Sequence, residues 1–145
     1  MTLMEALHRI NATKPNTYSQ AEKIKWLSTF DGIIKKEIID NYQGAATIVF
    51  NGYTEDADLN TTLLVPAPYD EIYLFLLESK IDYWNGEIGK YNNSTAMLNE
   101  AYSNFAKYYN RTHTHISNNL KYYGSPDSNK GQMANGVVEI TIEED

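Results

Sequence analysis

Two prolines, Pro66 and Pro68, lead directly into a run from Tyr69 to Trp84 whose apolar side chains fall on nearly every side of a helical wheel. Tyr69, Ile72, Tyr73, Phe75, Leu76, Leu77, Ile81, Tyr83 and Trp84 supply the apolar surface. A helix that is apolar all round has to be covered from several directions. The rest of the chain must therefore provide that cover, or a second copy of it must. Pro68 suits the first turn of such a helix, and Asp70 and Glu71 follow where a helix N-terminus favours negative charge. Asp70, Glu71, Glu78, Lys80 and Asp82 interrupt the run, which falls short of the ~18 apolar residues of a membrane span.

The flanking sequence offers helical partners. Thr2 to Asn11 reads as a short helix with Leu3, Leu7 and Ile10 on one face. After the breaker "NATKPNTY", Ser19-Gln20-Ala21-Glu22 has the pattern of a capping box. Ile24, Leu27, Phe30, Ile34 and Ile38 then recur at spacings of three and four, which predicts an amphipathic helix to about Asp40. Gly32 weakens it by about 1 kcal/mol relative to Ala. On the far side, "NGEIGKYNNS" marks a break or kink. Met97, Leu98, Ala101, Tyr102, Phe105 and Tyr109 then form a stripe ending near Asn110, so the two helices are expected to fold back as an αα-hairpin.

Two stretches read differently. Thr47 to Val49 is β-branched, Asn51-Gly52 is a turn signal and Leu63 to Val65 is apolar, so a short β-hairpin or strand arms are expected within 44–66. After Asn110 the periodicity stops, and 111–145 reads as an extended C-terminal arm closing on "VVEITIEED". There Val138, Ile140 and Ile142 alternate with polar residues, as in a half-buried strand. A lone strand needs a sheet edge, in its own hairpin or in a neighbour. The neighbour is preferred, because the polar stretch Ser117 to Gly136 reaches ~25 Å even as a coil. The expected fold is mainly α: a small helical bundle built from the αα-hairpin and one long N-terminal helix, with 1–110 as the domain.

Composition narrows the function classes. A chain of 145 residues, 42% hydrophobic and 21% charged, can bury a core without staples. "MTLMEALHRIN" lacks the features of a signal peptide. The absence of cysteine removes disulfides, thiolate catalysis and Cys-based zinc sites, and leans toward an intracellular setting. A net charge of −7 disfavours tight nucleic-acid binding, which rests on basic side chains at phosphates. Twelve tyrosines, against four Phe and two Trp, suit surfaces that become buried against partners.

Candidate chemistry is sparse. Glu55, Asp56 and Asp58 could offer oxygens to a cation but lack EF-hand spacing, so a solvated acidic loop is the preferred reading. His113 and His115 have no third ligand in register, and His8 stands alone. There is no Gly-x-Ser-x-Gly elbow, and Gly86 and Gly89 lack P-loop spacing. Glu78, Asp82 and Glu87 could form an acid–base set, yet fit equally as charges around an interface. Lys23, Lys25, Lys35 and Lys36 read as a solvated face of the second helix, or as a docking patch for an acidic neighbour. The expectation is no catalytic residue, no metal and no cofactor.

The stretch "LLVPAPYDEIYLFLLESKIDYWNGEIGKYNN", Leu63 to Asn93, resembles head–tail connector (adaptor) proteins of phages and prophages of Gram-positive bacteria. Phe50-x-Gly52-Tyr53 and Tyr108-Tyr109-Asn110-Arg111 also fit that family. The resemblance implies a helical, non-enzymatic virion subunit in a homo-oligomeric ring of about twelve copies at the head–tail junction, assembled in the host cytoplasm. It implies a portal protein on one side, a tail-side connector or tail terminator on the other, and DNA passing through without sequence-specific binding. Tyr69, Tyr73, Tyr83 and Trp84 are then the expected interface anchors, with Glu78 and Asp82 as polar rim and Val138, Ile140 and Ile142 as a docking strand. The rival readings are a monomeric or dimeric helical module that binds a small ligand or acts as a regulatory binding module, and a metal-dependent hydrolase using Asp56, Asp58, His113 and His115.

Overall fold

The computed structural model describes residues 1–116, in which four α-helices carry the architecture. Helix α1 is Leu3–Thr13, α2 is Gln20–Glu37, α3 is Ile72–Asn85 and α4 is Ile88–Thr112. The mainly α fold and the small helical bundle read from periodicity are what the chain adopts. The expected strand through Val138, Ile140 and Ile142 lies outside the described residues. None of the helices described is long and apolar enough to cross a membrane.

Each helix starts and stops for local reasons. Thr2 and Glu5 form a full capping box on α1: Thr2 Oγ1 accepts the Glu5 N–H, and Glu5 accepts the Thr2 N–H. At α2 only the first half of the expected box forms, with Ser19 Oγ accepting the Glu22 N–H at 3.1 Å. Helix α2 ends at Glu37, and a 3₁₀ turn over Ile39–Asn41 takes up the rest of its predicted length. Tyr69–Glu71 is likewise a 3₁₀ turn, and the α-helix proper begins at Ile72. Asp70 and Glu71 cap nothing there. Asp70 lies 3.0 Å from the Met1 amino group, and Glu71 takes a two-pronged hydrogen bond from Arg9, so both tie α3 to α1.

The αα-hairpin forms with only Gly86 and Glu87 between its helices. Gly86 sits at φ +74°, with the Glu87 N–H on the Asp82 carbonyl and the Gly86 N–H on that of Tyr83. This is a Schellman closure, which needs a left-handed residue and so favours glycine. Because the break is so short, α4 begins well before the stripe that predicted it.

The core explains why α3 is apolar all round. Leu3 and Ile10 of α1, Leu27 and Ile34 of α2, and Phe105 of α4 are fully buried with Ile72, Tyr73, Leu77 and Ile81 of α3. Helices α1, α2 and α4 all pack on α3. Its cover therefore comes from its own subunit along most of its length.

The β-hairpin expected within 44–66 does not form. Among the described residues there are no strands, only isolated bridges at Thr2–Thr62 and Tyr42–His115, and Ala45–Thr47 is a 3₁₀ turn. The backbone of this segment is satisfied in other ways. Leu3 and Met4 donate to the carbonyls of Thr61 and Leu59, and Leu63 donates to that of Met1. The Leu64 N–H is taken by Asp31, and the Val65 N–H by the Tyr73 hydroxyl. Side chains of the helices thus replace a partner strand, leaving Leu63 and Val65 buried in the helical core. The unit continues past the expected limit at residue 110 to His115.

Candidate functional site

After Asp82 the last turn of α3 runs clear of the body, and every residue from Tyr83 to Lys90 is exposed. Tyr83, Trp84 and Ile88 remain 53%, 60% and 61% accessible. The rings of Tyr83 and Trp84 meet edge to face at 5.2 Å, and Tyr91 lies 5.5 Å from Tyr83. Tyr83 and Trp84 thus form an exposed aromatic pair beside Tyr91, and Ile88 is exposed a few residues on, next to the Glu87–Lys90 ion pair at 3.4 Å. At roughly 100–150 Å² of exposed surface each, Tyr83, Trp84 and Ile88 together leave about 300–400 Å² open, the scale at which exposed apolar surface is often functional. Leu76, Lys80 and Trp84 occupy successive turns of one face of α3. That face leads to a shallow groove of about 240 Å³ lined by Trp26, Phe30, Ile33 and Leu76, with Lys25 and Lys80 at its edge.

The other expected anchors turn inward. Tyr73 is completely buried, so it is a core residue and not an interface anchor. Tyr69 is half-buried and stacks on Tyr108 at 4.6 Å and 29°. Asp82 is 1% exposed, which removes it from any rim. Its Oδ1 lies 2.8 Å from Lys14 Nζ, and its Oδ2 accepts the Ser94 hydroxyl at 3.0 Å. This arrangement links the end of α1 to both arms of the hairpin. Glu78, half-buried nearby, has its carboxyl pushed up by burial, against the pull of Lys14 and with the push of Asp82. Glu78, Asp82 and Glu87 do not converge on a cavity, since Asp82 is enclosed and Glu87 pairs with Lys90 at the surface.

The lysine face of α2 is also partly structural. Lys23 is 3% exposed and donates to Asn11 Oδ1 at 2.8 Å, with its amine pulled down by desolvation. Lys35 pairs with Asp40. Lys25 is left at the groove edge. Asp58 closes a local turn by accepting the Asn60 N–H at 2.9 Å. His113 stacks flat on Tyr109 at 3.7 Å, and His115 packs against Tyr42 at 4.3 Å. Among the described residues, no group of three or more His, Asp or Glu is placed to hold a metal ion.

One constellation escaped the sequence reading. Asp31 is fully buried, and its carboxylate accepts three hydrogen bonds. They come from the Tyr53 hydroxyl at 2.5 Å, the Tyr73 hydroxyl at 2.6 Å and the Leu64 N–H at 3.1 Å. Burial pushes its carboxyl up against these three donors, and the same burial, with the carboxylate alongside, pushes both phenols well above their ordinary range. The available signal was Asp31 itself, on the stripe of Leu27, Phe30 and Ile34 where a carboxylate needs a partner.

Comparison with known proteins returns no match to a family model, a curated protein or a solved structure.

Proposed function

We propose that this chain is a structural subunit of a phage or prophage head–tail junction, forming a ring that binds a portal protein on one side and a tail-side component on the other. The exposed corner of Tyr83, Trp84 and Ile88 carries the proposal, because three exposed large apolar side chains fall there within one short stretch, whereas Met4, Ile33, Val49 and Met97 are exposed at scattered positions. It lies within Leu63 to Asn93, the stretch that resembles the connector family. At ~300–400 Å² it is at most half of one side of a standard ~800 Å² interface, so it acts as an anchor within a larger contact. The net charge of −7, multiplied around a ring, gives a channel wall that repels DNA phosphates instead of holding them.

Negative-stain imaging of the full chain, alone and mixed with a portal protein from the same phage or prophage, tests the proposal. Rings, or particles capping one end of the portal, are expected. A chain that stays monomeric at high concentration and leaves the portal bare would overturn it.

A further inference from the structure

The segment from Gly44 to Asp58 crosses the helices without regular structure beyond the turn at Ala45–Thr47. Among the described residues, the backbone of Ile48 to Asp58 makes no backbone hydrogen bond to a helix. Its attachment is made by side chains. The Tyr53 N–H donates to Ser28 Oγ at 2.9 Å, and its hydroxyl reaches Asp31. The Phe50 ring lies over Gly32, 3.8 Å from where a Cβ would stand. Ser28, Asp31 and Gly32 are one turn apart on α2, and so form a single recess of small and acceptor residues. Gly52, at φ +90°, lies close enough that a Cβ there would come within 3.1 Å of Ser28 Oγ. On the strap side, Ile48, Tyr53 and Ala57 are only partly buried.

The three donors on Asp31 come from two places. Tyr53 belongs to the strap, whereas Tyr73 belongs to α3 and Leu64 lies beyond Leu59 and Thr61, where α1 holds the chain. If the strap lifts, the carboxylate keeps two donors and gains water in place of the third. A buried carboxylate without any remaining donor would resist such opening strongly; this one does not, since only one of its bonds is at stake.

We propose that Gly44 to Asp58 is a strap that opens and closes on the helical body as its own unit, with the Tyr53–Asp31 hydrogen bond as its latch. Gly44, at φ +88° with nothing within 4 Å of a Cβ position, is the hinge at one end. The hydrogen bonds of Leu59 and Thr61 to α1 fix the other. Opening uncovers the Ser28–Asp31–Gly32 face of α2 and leaves the core in place. The inference is independent of ring assembly.

Amide hydrogen exchange on the full chain, with residue resolution, tests it. The Tyr53 amide reports the strap, and the Val65 amide, bonded to the Tyr73 hydroxyl, reports the body. Tyr53→Phe should speed exchange at Tyr53 about tenfold or more, and Val65 by no more than the same factor, because any opening of the body also releases the strap. Tyr73→Phe, whose hydroxyl keeps its partners when the strap lifts, should speed Val65 and the amides of α3 about tenfold or more while the Tyr53 amide stays within about threefold. In the unaltered chain, opening at Tyr53 should respond to low denaturant less steeply than opening at Val65, as a small local event does. An acceleration of Tyr53 as large as that of Val65 in Tyr73→Phe, no acceleration of Tyr53 in Tyr53→Phe, or identical denaturant responses in the unaltered chain would each overturn the latch.

Discussion

Replacing Tyr73 by Phe keeps the ring and removes one hydroxyl, which makes it a sharp test of how the fold is held. That hydroxyl accepts the Val65 N–H at 2.7 Å and donates to Asp31 at 2.6 Å. Both partners are enclosed, so the change leaves a backbone donor unpaired and takes one of three donors from a buried carboxylate. Each such loss costs about 1–3 kcal/mol, giving roughly 2–6 kcal/mol together. For a body of this size that is a fall in Tm on the order of 10–20 °C. Trp84→Ala, at a side chain 60% exposed, should stay within about 1 kcal/mol of the parent. Urea unfolding followed by circular dichroism separates the two. A Tyr73→Phe protein within ~0.5 kcal/mol of the parent would refute the reasoning. It would mean that the Val65 N–H and Asp31 find other partners, and that the network does not hold the 59–65 segment in place.

Alkaline titration should show a second signature. Tyr73 stays neutral in the folded state well above pH 10, so stability present below pH 10 is lost as pH rises past it, at about 1.4 kcal/mol per pH unit while only the unfolded chain ionises there. Tyr53 adds to this in the same direction, and burial with the Glu37 hydrogen bond pushes Tyr102 up to about 12. Absorbance at 295 nm should therefore show a late-ionising fraction whose release coincides with unfolding; ionisation of all tyrosines together near pH 10 in the folded protein would contradict it. Lys14→Met leaves Asp82 with Ser94 alone. It should cost about 2–3 kcal/mol, below the 3–5 typical of breaking a fully buried pair because Lys14 is partly exposed. Thermal melts check this, and an unchanged Tm would show that Asp82 does not depend on Lys14.

The helices were legible because their signals are local. The stripe Ile24, Leu27, Phe30, Ile34 needs only a period of 3.6, and Gly86 needs only a left-handed closure. The segment before Pro66 was misread for the complementary reason. Thr47 to Val49 and Leu63 to Val65 have the composition of strands, but what fixes Leu64 and Val65 is a carboxylate on α2 and a phenol on α3, distant in sequence. The candidate interface was half legible. In a helix apolar all round, periodicity cannot separate Tyr73 from Trp84. The docking of α1, α2 and α4 makes that choice, covering α3 as far as Asp82 and leaving its last turn bare. Asp82 looked like a rim charge because Lys14 and Ser94, which enclose it, come from other helices.

In the proposed ring, the corner of Tyr83, Trp84 and Ile88 joins copies of this chain. Mass photometry of the full chain across a concentration series, beside a Tyr83→Ser, Trp84→Ser variant, tests it most directly. The parent should form a discrete high-mass ring. The variant should keep the parent's helical signal and its Tm within a few degrees but stay monomeric. A parent that is monomeric throughout, or a folded variant that assembles as well as the parent, would contradict it.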